Sequence, residues 1–175
     1  SSILASISAA KPKIANYPFT TLEPVLGVVH LGLDAFIVVD IPGLIEGAHS
    51  GIGLGDEFLK HVERTRVLAH IVDGSEPDVV GRILTINNEL RQFNETLASR
   101  PQILVINKLD LFEDEGRRKE IEAEILEELG EVKVHFLSAA TREGMDALVE
   151  EMRRSLEAVP REPDTEYEPS SSTPV

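Results

Sequence analysis

Cysteine is absent from the 175 residues. Disulfides and cysteine metal sites are thereby excluded, and stability is left to packing, as is usual in a reducing compartment. No apolar run approaches the length of a membrane span, and Ser1, Ser2, Ile3 and Leu4 lack the basic-then-apolar pattern of a secretory leader. These absences lead us to expect a cytoplasmic chain without a membrane partner. Basic residues are scarce: 17 stand against 31 acids, giving a formal charge of -14. Such a balance opposes nonspecific binding to nucleic acid phosphates through the domain as a whole, so direct DNA binding is not expected. An RNA-containing partner would need a local basic patch or a segment outside this chain. No internal repeat is found, and the phosphate-gripping string G-x-x-x-x-G-K-[ST] occurs nowhere.

What is present suits one substantial core. Hydrophobic residues make up 42% of the chain, and the length fits one domain, expected over residues 1–159. From Pro160 onward, Pro163, Pro169, Pro174 and the run Ser170, Ser171, Ser172 leave almost no apolar content. Residues 160–175 therefore read as a disordered linker or tail that cannot repay the entropy of ordering. Nine acids lie between Glu113 and Glu131, with Arg117, Arg118 and Lys119 the only bases among them. That stretch reads as a solvated helix face.

Short β-branched runs bounded by turn residues predict strands at Val25 to Leu31, Ala35 to Asp40, Val67 to Asp73, Gln102 to Asn107 and Val132 to Ser138. Steps of three and four predict helices through Ile83, Ile86, Leu90, Phe93 and Leu97, through Ile121, Ile125 and Leu129, and through Met145, Leu148, Met152 and Leu156. Leu54, Phe58, Leu59 and Val62 suggest one more. Alternating strands and helices imply crossover units on a mainly parallel sheet, with ligands at the carboxyl ends of its strands. The first two strands, joined through Gly32 to Asp34, read as a hairpin, so the sheet is expected to be mixed, with one antiparallel pair near an edge.

Two strand ends carry the chemistry. The strand Ile103 to Ile106 runs into Asn107, Lys108, Leu109 and Asp110, an Asn-Lys-x-Asp pattern. A carboxylate fixed at Asp110 accepts from both the ring N–H and the exocyclic amine of guanine, donors that adenine does not pair on that edge. Asn107 would read or brace the other side. Leaving the carboxylate unpaired against the wrong base costs a few kcal/mol. The competing reading is a turn after a buried strand, since Asn and Asp are common turn residues. Asp40, Ile41, Pro42 and Gly43 follow Phe36 to Val39 as Asp-x-x-Gly, though Pro-Gly is also a plain turn signal. Ser138 and Ala139 close the last predicted strand, where a serine capping the turn is an equal alternative. A Thr-Thr pair, Asp-x-x-Gly, Asn-Lys-x-Asp and Ser-Ala in this order argue more strongly together than any one alone.

The stretches Lys11-Pro-Lys-Ile-Ala-Asn-Tyr-Pro-Phe-Thr-Thr-Leu, Asp40-Ile-Pro-Gly-Leu-Ile-Glu-Gly-Ala-His-Ser-Gly-Ile-Gly-Leu-Gly and Phe58-Leu-Lys-His-Val-Glu-Arg-Thr-Arg closely resemble the Obg family of ribosome-associated GTPases. The resemblance runs from Ser1 to about Leu156. It implies an α/β P-loop NTPase (G-protein-like) three-layer fold with a mainly parallel sheet, binding GTP and GDP with Mg2+ and acting in assembly of the large ribosomal subunit. It also implies roles for residues. Thr21 and Ser1 would be magnesium ligands, and Asp40 would hold the metal through a water. The Gly43 amide would sense the terminal phosphate, since an amide without a side chain approaches an oxyanion closely. Phe19, Thr20, Leu22 and Glu23 would flank the nucleotide in the first switch, beside Thr21. Ile41, Pro42, Lys108, Leu109 and Ala140 would line it with Asn107, Asp110, Ser138 and Ala139, whose short motif contacts the guanine O6 through its backbone.

Gly47, Gly51, Gly53 and Gly55 mark Leu44 to Gly55 as the second switch. Many GTPases place a water-orienting glutamine directly after the Asp-x-x-Gly glycine. Leu44 stands there in this chain, so slow intrinsic hydrolysis is expected. His30, His49, His61, His70 and His135 do not converge at ligand spacing, and none is assigned a catalytic role. Glu46 as a general base is disfavoured, because phosphoryl transfer relies on positioning and charge stabilisation.

In the register of the resemblance Ser1 is the final serine of the phosphate-binding loop, whose glycines, lysine and preceding strand would lie upstream. Lys11 and Lys13 come after the helix that loop opens and do not replace it. The chain alone is therefore expected to bind nucleotide poorly and to leave unpaired strand edges. A non-catalytic module binding a protein or ribosomal partner on the same fold is the alternative. An ATP-specific relative is a weaker one, since adenine leaves Asp110 unsatisfied.

Overall fold

The computed structural model describes residues 2–8, 13–14, 25–32, 34–40 and 65–160. Strand β5 (Gln102–Asn107) lies between β4 (Leu68–Asp73) and β6 (Val134–Phe136) in a parallel three-stranded sheet. Ile103, Leu104, Val105 and Ile106 are all buried, the unbroken apolar run of a strand covered on both faces.

Helices supply the cover. On one face α2 (Val79–Phe93) and α4 (Glu115–Leu129) bring Val79, Val80, Ile83, Ile121 and Ile125 against Val72, Leu104, Ile106 and Phe136. On the other, α1 (Ser2–Ile7) and α5 (Met145–Ala158) bring Ile3, Met145, Leu148 and Met152 against Ile103, Val105 and Leu137. The result is three layers, and each fully buried aliphatic side chain contributes roughly 1.5–3 kcal/mol. Asp78 and Asp114 start their helices by accepting from the amides of Gly81 and Gly116, at 2.8 and 2.7 Å. The apolar spacing that predicts one helix through Leu97 spans two. Asn94 adopts extended backbone, and its side-chain oxygen accepts from Leu97 at 2.8 Å, ending α2 and capping a separate α3 (Glu95–Ala98).

The predicted hairpin is present: β2 (Val25–Leu31) and β3 (Asp34–Asp40) pair antiparallel around Gly32, whose φ of 61° suits a residue without a Cβ. A two-residue strand, β1 (Lys13–Ile14), adds to the other edge of β2, too short to show a period in the sequence. The expected parallel and antiparallel pairings are both present, and among the described residues they fall in two ladders. The antiparallel strands form their own sheet, because no described strand hydrogen-bonds to both β3 and β4. Ile37 on β3 and Ile71 on β4 are 69% and 39% exposed. Helix α1 joins the two sheets. Phe36 packs on its cluster, and a Cβ at Gly27 would lie 2.6 Å from Leu4 Cδ1, so the helix rests directly on β2. The last strand is shorter than its predicted span 132–138, since a turn bond from Val132 N–H to the Gly130 carbonyl precedes it. The predicted helix around Leu54 to Val62 and residues 161–175 of the expected tail lie outside the described residues.

Candidate functional site

The carboxyl ends of β4, β5 and β6 emerge side by side, where open α/β sheets hold ligands. Asp73 ends β4 in register with Asn107 at the end of β5. The Gly74 amide donates to the Asn107 carbonyl at 2.9 Å. Beyond Asn107 the chain turns sharply: Lys108 has a φ of 68°, and Leu109–Leu111 form one 3-10 turn containing Asp110. The Leu109 amide donates to the Leu137 carbonyl at 3.0 Å, and the Leu137 amide to the Ile106 carbonyl at 2.9 Å. The loops after β5 and β6 are thus laced together by backbone.

Side chains complete the lacing. Ser138 is wholly buried. Its hydroxyl donates to Asp110 Oδ1 and accepts from the Thr141 amide at 3.1 Å. The Ala139 amide donates to Asn107 Oδ1 at 3.0 Å. A hydroxyl has one proton, and here it goes to the carboxylate, which fixes the orientation of Asp110. The alternative for Ser138, a turn cap, is accurate as far as Thr141, but α5 begins later, at Met145 after Gly144. Asn107, Asp110, Ser138 and Ala139 therefore meet in one cluster. Leu109 packs partly into the core, and Ala140 is exposed in the turn.

Lys108 turns toward β4. Its Nζ lies 2.5 Å from Asp73 Oδ2, and Ser75 donates to Asp73 Oδ1 through its amide at 3.0 Å and its hydroxyl at 2.6 Å. Desolvation works to raise the Asp73 carboxyl, but the hydrogen bonds from Lys108 and Ser75 outweigh it and hold it below the usual carboxylate range. The same hydrogen bond from the other side raises the Lys108 ammonium. Sequence reasoning missed Asp73 and Ser75. The available signal was that Asp73 ends a strand one β–α unit before Asn107.

Asp40 stands elsewhere, half-buried at the end of β3 opposite Val25, in the antiparallel sheet. Ser1, Phe19, Thr20, Thr21, Leu22, Glu23, Ile41, Pro42, Gly43 and Leu44 lie outside the described residues. Burial pushes the imidazole of His70 down to about 4, with the Asn87 side chain partly opposing, so His70 is a neutral packing residue. No helix among the described residues is long and apolar enough to cross a membrane.

Comparison with known proteins places this geometry in context. The family model described as a 50S ribosome-binding GTPase matches residues 1–108. The GTPase Obg of Roseiflexus castenholzii is 50% identical over 163 residues, covering 91% of this chain and 37% of that protein. The GTPase Obg of Symbiobacterium thermophilum is 52% identical over 154 residues, covering 86% of this chain and 36% of that protein. The chain thus spans little more than a third of the length of these curated relatives. Among solved structures, Era in complex with MgGDPNP and a segment of 16S ribosomal RNA superposes with a TM-score of 0.66 at 23% identity, covering 93% of this chain and 53% of that chain. The cytosolic domain of the T. maritima FeoB iron transporter in its GMPPNP form gives 0.62 at 19% identity, covering 93% and 61%. These two likenesses show the fold.

Proposed function

This chain belongs to the family of 50S ribosome-binding GTPases, with Obg proteins among its relatives, and on that premise we propose that it is the guanine-nucleotide-binding part of an Obg-type switch acting in large-subunit assembly in the cytoplasm. The observation that carries the nucleotide reading is the lacing of Asp110 by Ser138 and of Asn107 by the Ala139 amide. Asp110 is held by one oxygen and is exposed, so its carboxylate is oriented before any ligand arrives. Orientation in advance lowers the ordering cost of binding. Guanine meets that carboxylate with its ring N–H and amine, while Ala139 and Ala140 present backbone to O6 and Lys108 and Leu109 flank the base.

On the phosphate side, the half-buried carboxylate of Asp40 at a strand end is a hard oxygen ligand of the type that suits Mg2+. Asp40 would act through a water, with Thr21 and Ser1 as direct ligands. Mg2+ when bound neutralises charge on the β- and γ-phosphates. The Gly43 amide senses the terminal phosphate, and Phe19, Thr20, Leu22, Glu23, Ile41 and Pro42 border it. With Leu44 after Gly43, no side chain there orients water, and GTP turns over slowly to GDP and phosphate until a partner intervenes. Exchanging Leu44→Gln in the full-length protein tests this part, and already fast hydrolysis in the parent would refute it. The ribosomal role is supported by the family description and by the ribosomal RNA bound in the Era structure.

Competition against a fluorescent GDP decides the reading as a whole. In the full-length protein GDP should displace the probe at a concentration at least about 100-fold below that of ADP, the discrimination expected when a site built for a donor pair meets a base lacking it. Equal displacement by the two would overturn guanine specificity.

A further inference from the structure

The loop that laces Asn107 and Asp110 is itself fastened from the opposite end of the chain. Arg142 donates from its guanidinium to the Ser6 carbonyl at 2.8 Å, at the carboxyl end of α1. Ser6 returns a hydroxyl to the Ala139 carbonyl, at a longer 3.4 Å. Ala139, like Ile7 of α1, also packs against the apolar cluster that contains Ile3 of the same helix. A cation at a helix carboxyl end also meets the favourable end of the helix dipole. Arg142 achieves this with a φ of 68°, a backbone region that residues with a Cβ seldom occupy, so its geometry is held by its surroundings.

From this we infer that Arg142 and Ser6 are positioning residues that clasp α1 to the base-reading loop, fixing the Ala139 amide against Asn107 and, through Ser138, the carboxylate of Asp110. The inference rests on the guanine reading above. It adds a physical link between the helix that begins beside Ser1, on the phosphate side, and the loop that reads the base. A ligand that shifts α1 shifts the base loop with it, and by linkage the reverse holds.

Two measurements test the clasp with Arg142→Ala, Arg142→Lys and Ser6→Ala. The alanine and lysine variants at residue 142 both keep a Cβ and so the same backbone strain; they differ in the aliphatic stem and the cation it carries. In the full-length protein without nucleotide, amide exchange of Ala139 should quicken at least about tenfold in Arg142→Ala, the size of one lost charge-assisted hydrogen bond, and return to within about threefold of the parent in Arg142→Lys. Ser6→Ala should give a smaller change of the same sign. In the full-length protein, Arg142→Ala should release GDP faster, and its release rates for GDP and inosine diphosphate, which lacks the exocyclic amine, should converge. A lowered melting temperature alone would not produce that convergence. Unchanged Ala139 exchange in Arg142→Ala, or equal changes in the alanine and lysine variants, would overturn the clasp. If the full-length protein held no GDP, the guanine reading would fall while Ala139 exchange still decided this inference.

Discussion

Ser138 and Asp110, 28 residues apart in sequence, are joined by a hydrogen bond from a serine with no exposed surface to a carboxylate at the rim of the site. The buried partner is committed at both ends, since its oxygen also accepts from the Thr141 amide. Ser138→Ala should therefore lower unfolding free energy by about 1–2 kcal/mol, because an amide loses its acceptor inside the protein. GDP affinity should fall in the same variant. Urea melts and nucleotide competition read the two effects, and an unchanged affinity would detach Ser138 from base recognition.

Asp110 itself is exposed, and asparagine keeps an oxygen to accept from the Ser138 hydroxyl, so Asp110→Asn should leave stability within about 0.5 kcal/mol. Its chemistry is less forgiving. Asp110→Asn trades one acceptor for an N–H donor, which opposes the guanine amine but complements the carbonyl that xanthine carries at that position. Preference should invert from GDP to xanthosine diphosphate. Retained preference for GDP would show that another group reads this edge.

His70 makes stability depend on pH. Its folded value is about 4 against 6.5 for the free imidazole, because burial disfavours the charged ring. Between those values the unfolded chain binds a proton that the folded chain excludes, so stability rises with pH through this window and is lost as acid is added, by up to a few kcal/mol. Burial lowers His135 in the same direction, with Glu151 opposing. Denaturant melts at pH 5 and pH 7 should converge in His70→Leu more than in the parent. A parent protein equally stable at both values would contradict the assignment.

Gly144 precedes α5 with a φ of 74°, and a Cβ there would lie 2.6 Å from the Phe136 carbonyl oxygen. The neighbour is backbone in a strand and has little freedom to move. Gly144→Ala should cost at least about 1–3 kcal/mol, from strain and crowding together. A shift of less than about 0.5 kcal/mol in urea would show that the turn relaxes freely.

The strands Val25–Leu31 and Gln102–Asn107 were legible to the residue, because turn residues bound each run and its apolar content is dense. Asp110 and Ser138, singled out by pattern, fall in the loops that follow β5 and β6. Their hydrogen bond was not legible, since no spacing rule relates residues 110 and 138 before the fold brings β5 beside β6. Asn94 shows the opposite failure. The apolar period runs straight through it, and only its side-chain bond to Leu97 reveals two helices. The contacts of Asp73 and Arg142 were hidden for another reason: their partners, Lys108 and the Ser6 carbonyl, belong to other elements.

The parallel sheet and the helices α2 to α5 come from one unbroken stretch of chain, whereas β2, β3 and α1 reach them from the first forty residues. Opening of the molecule should follow that division. Among the described residues the hairpin shares no ladder with the parallel strands, so it should separate first, by releasing α1, while β5, enclosed between two helical layers, should be the last to surrender its amides to solvent. A probe bound at the base loop would register the first event through Arg142 well before the second, so the same contact that orients the loop also reports the loosening of the amino-terminal half.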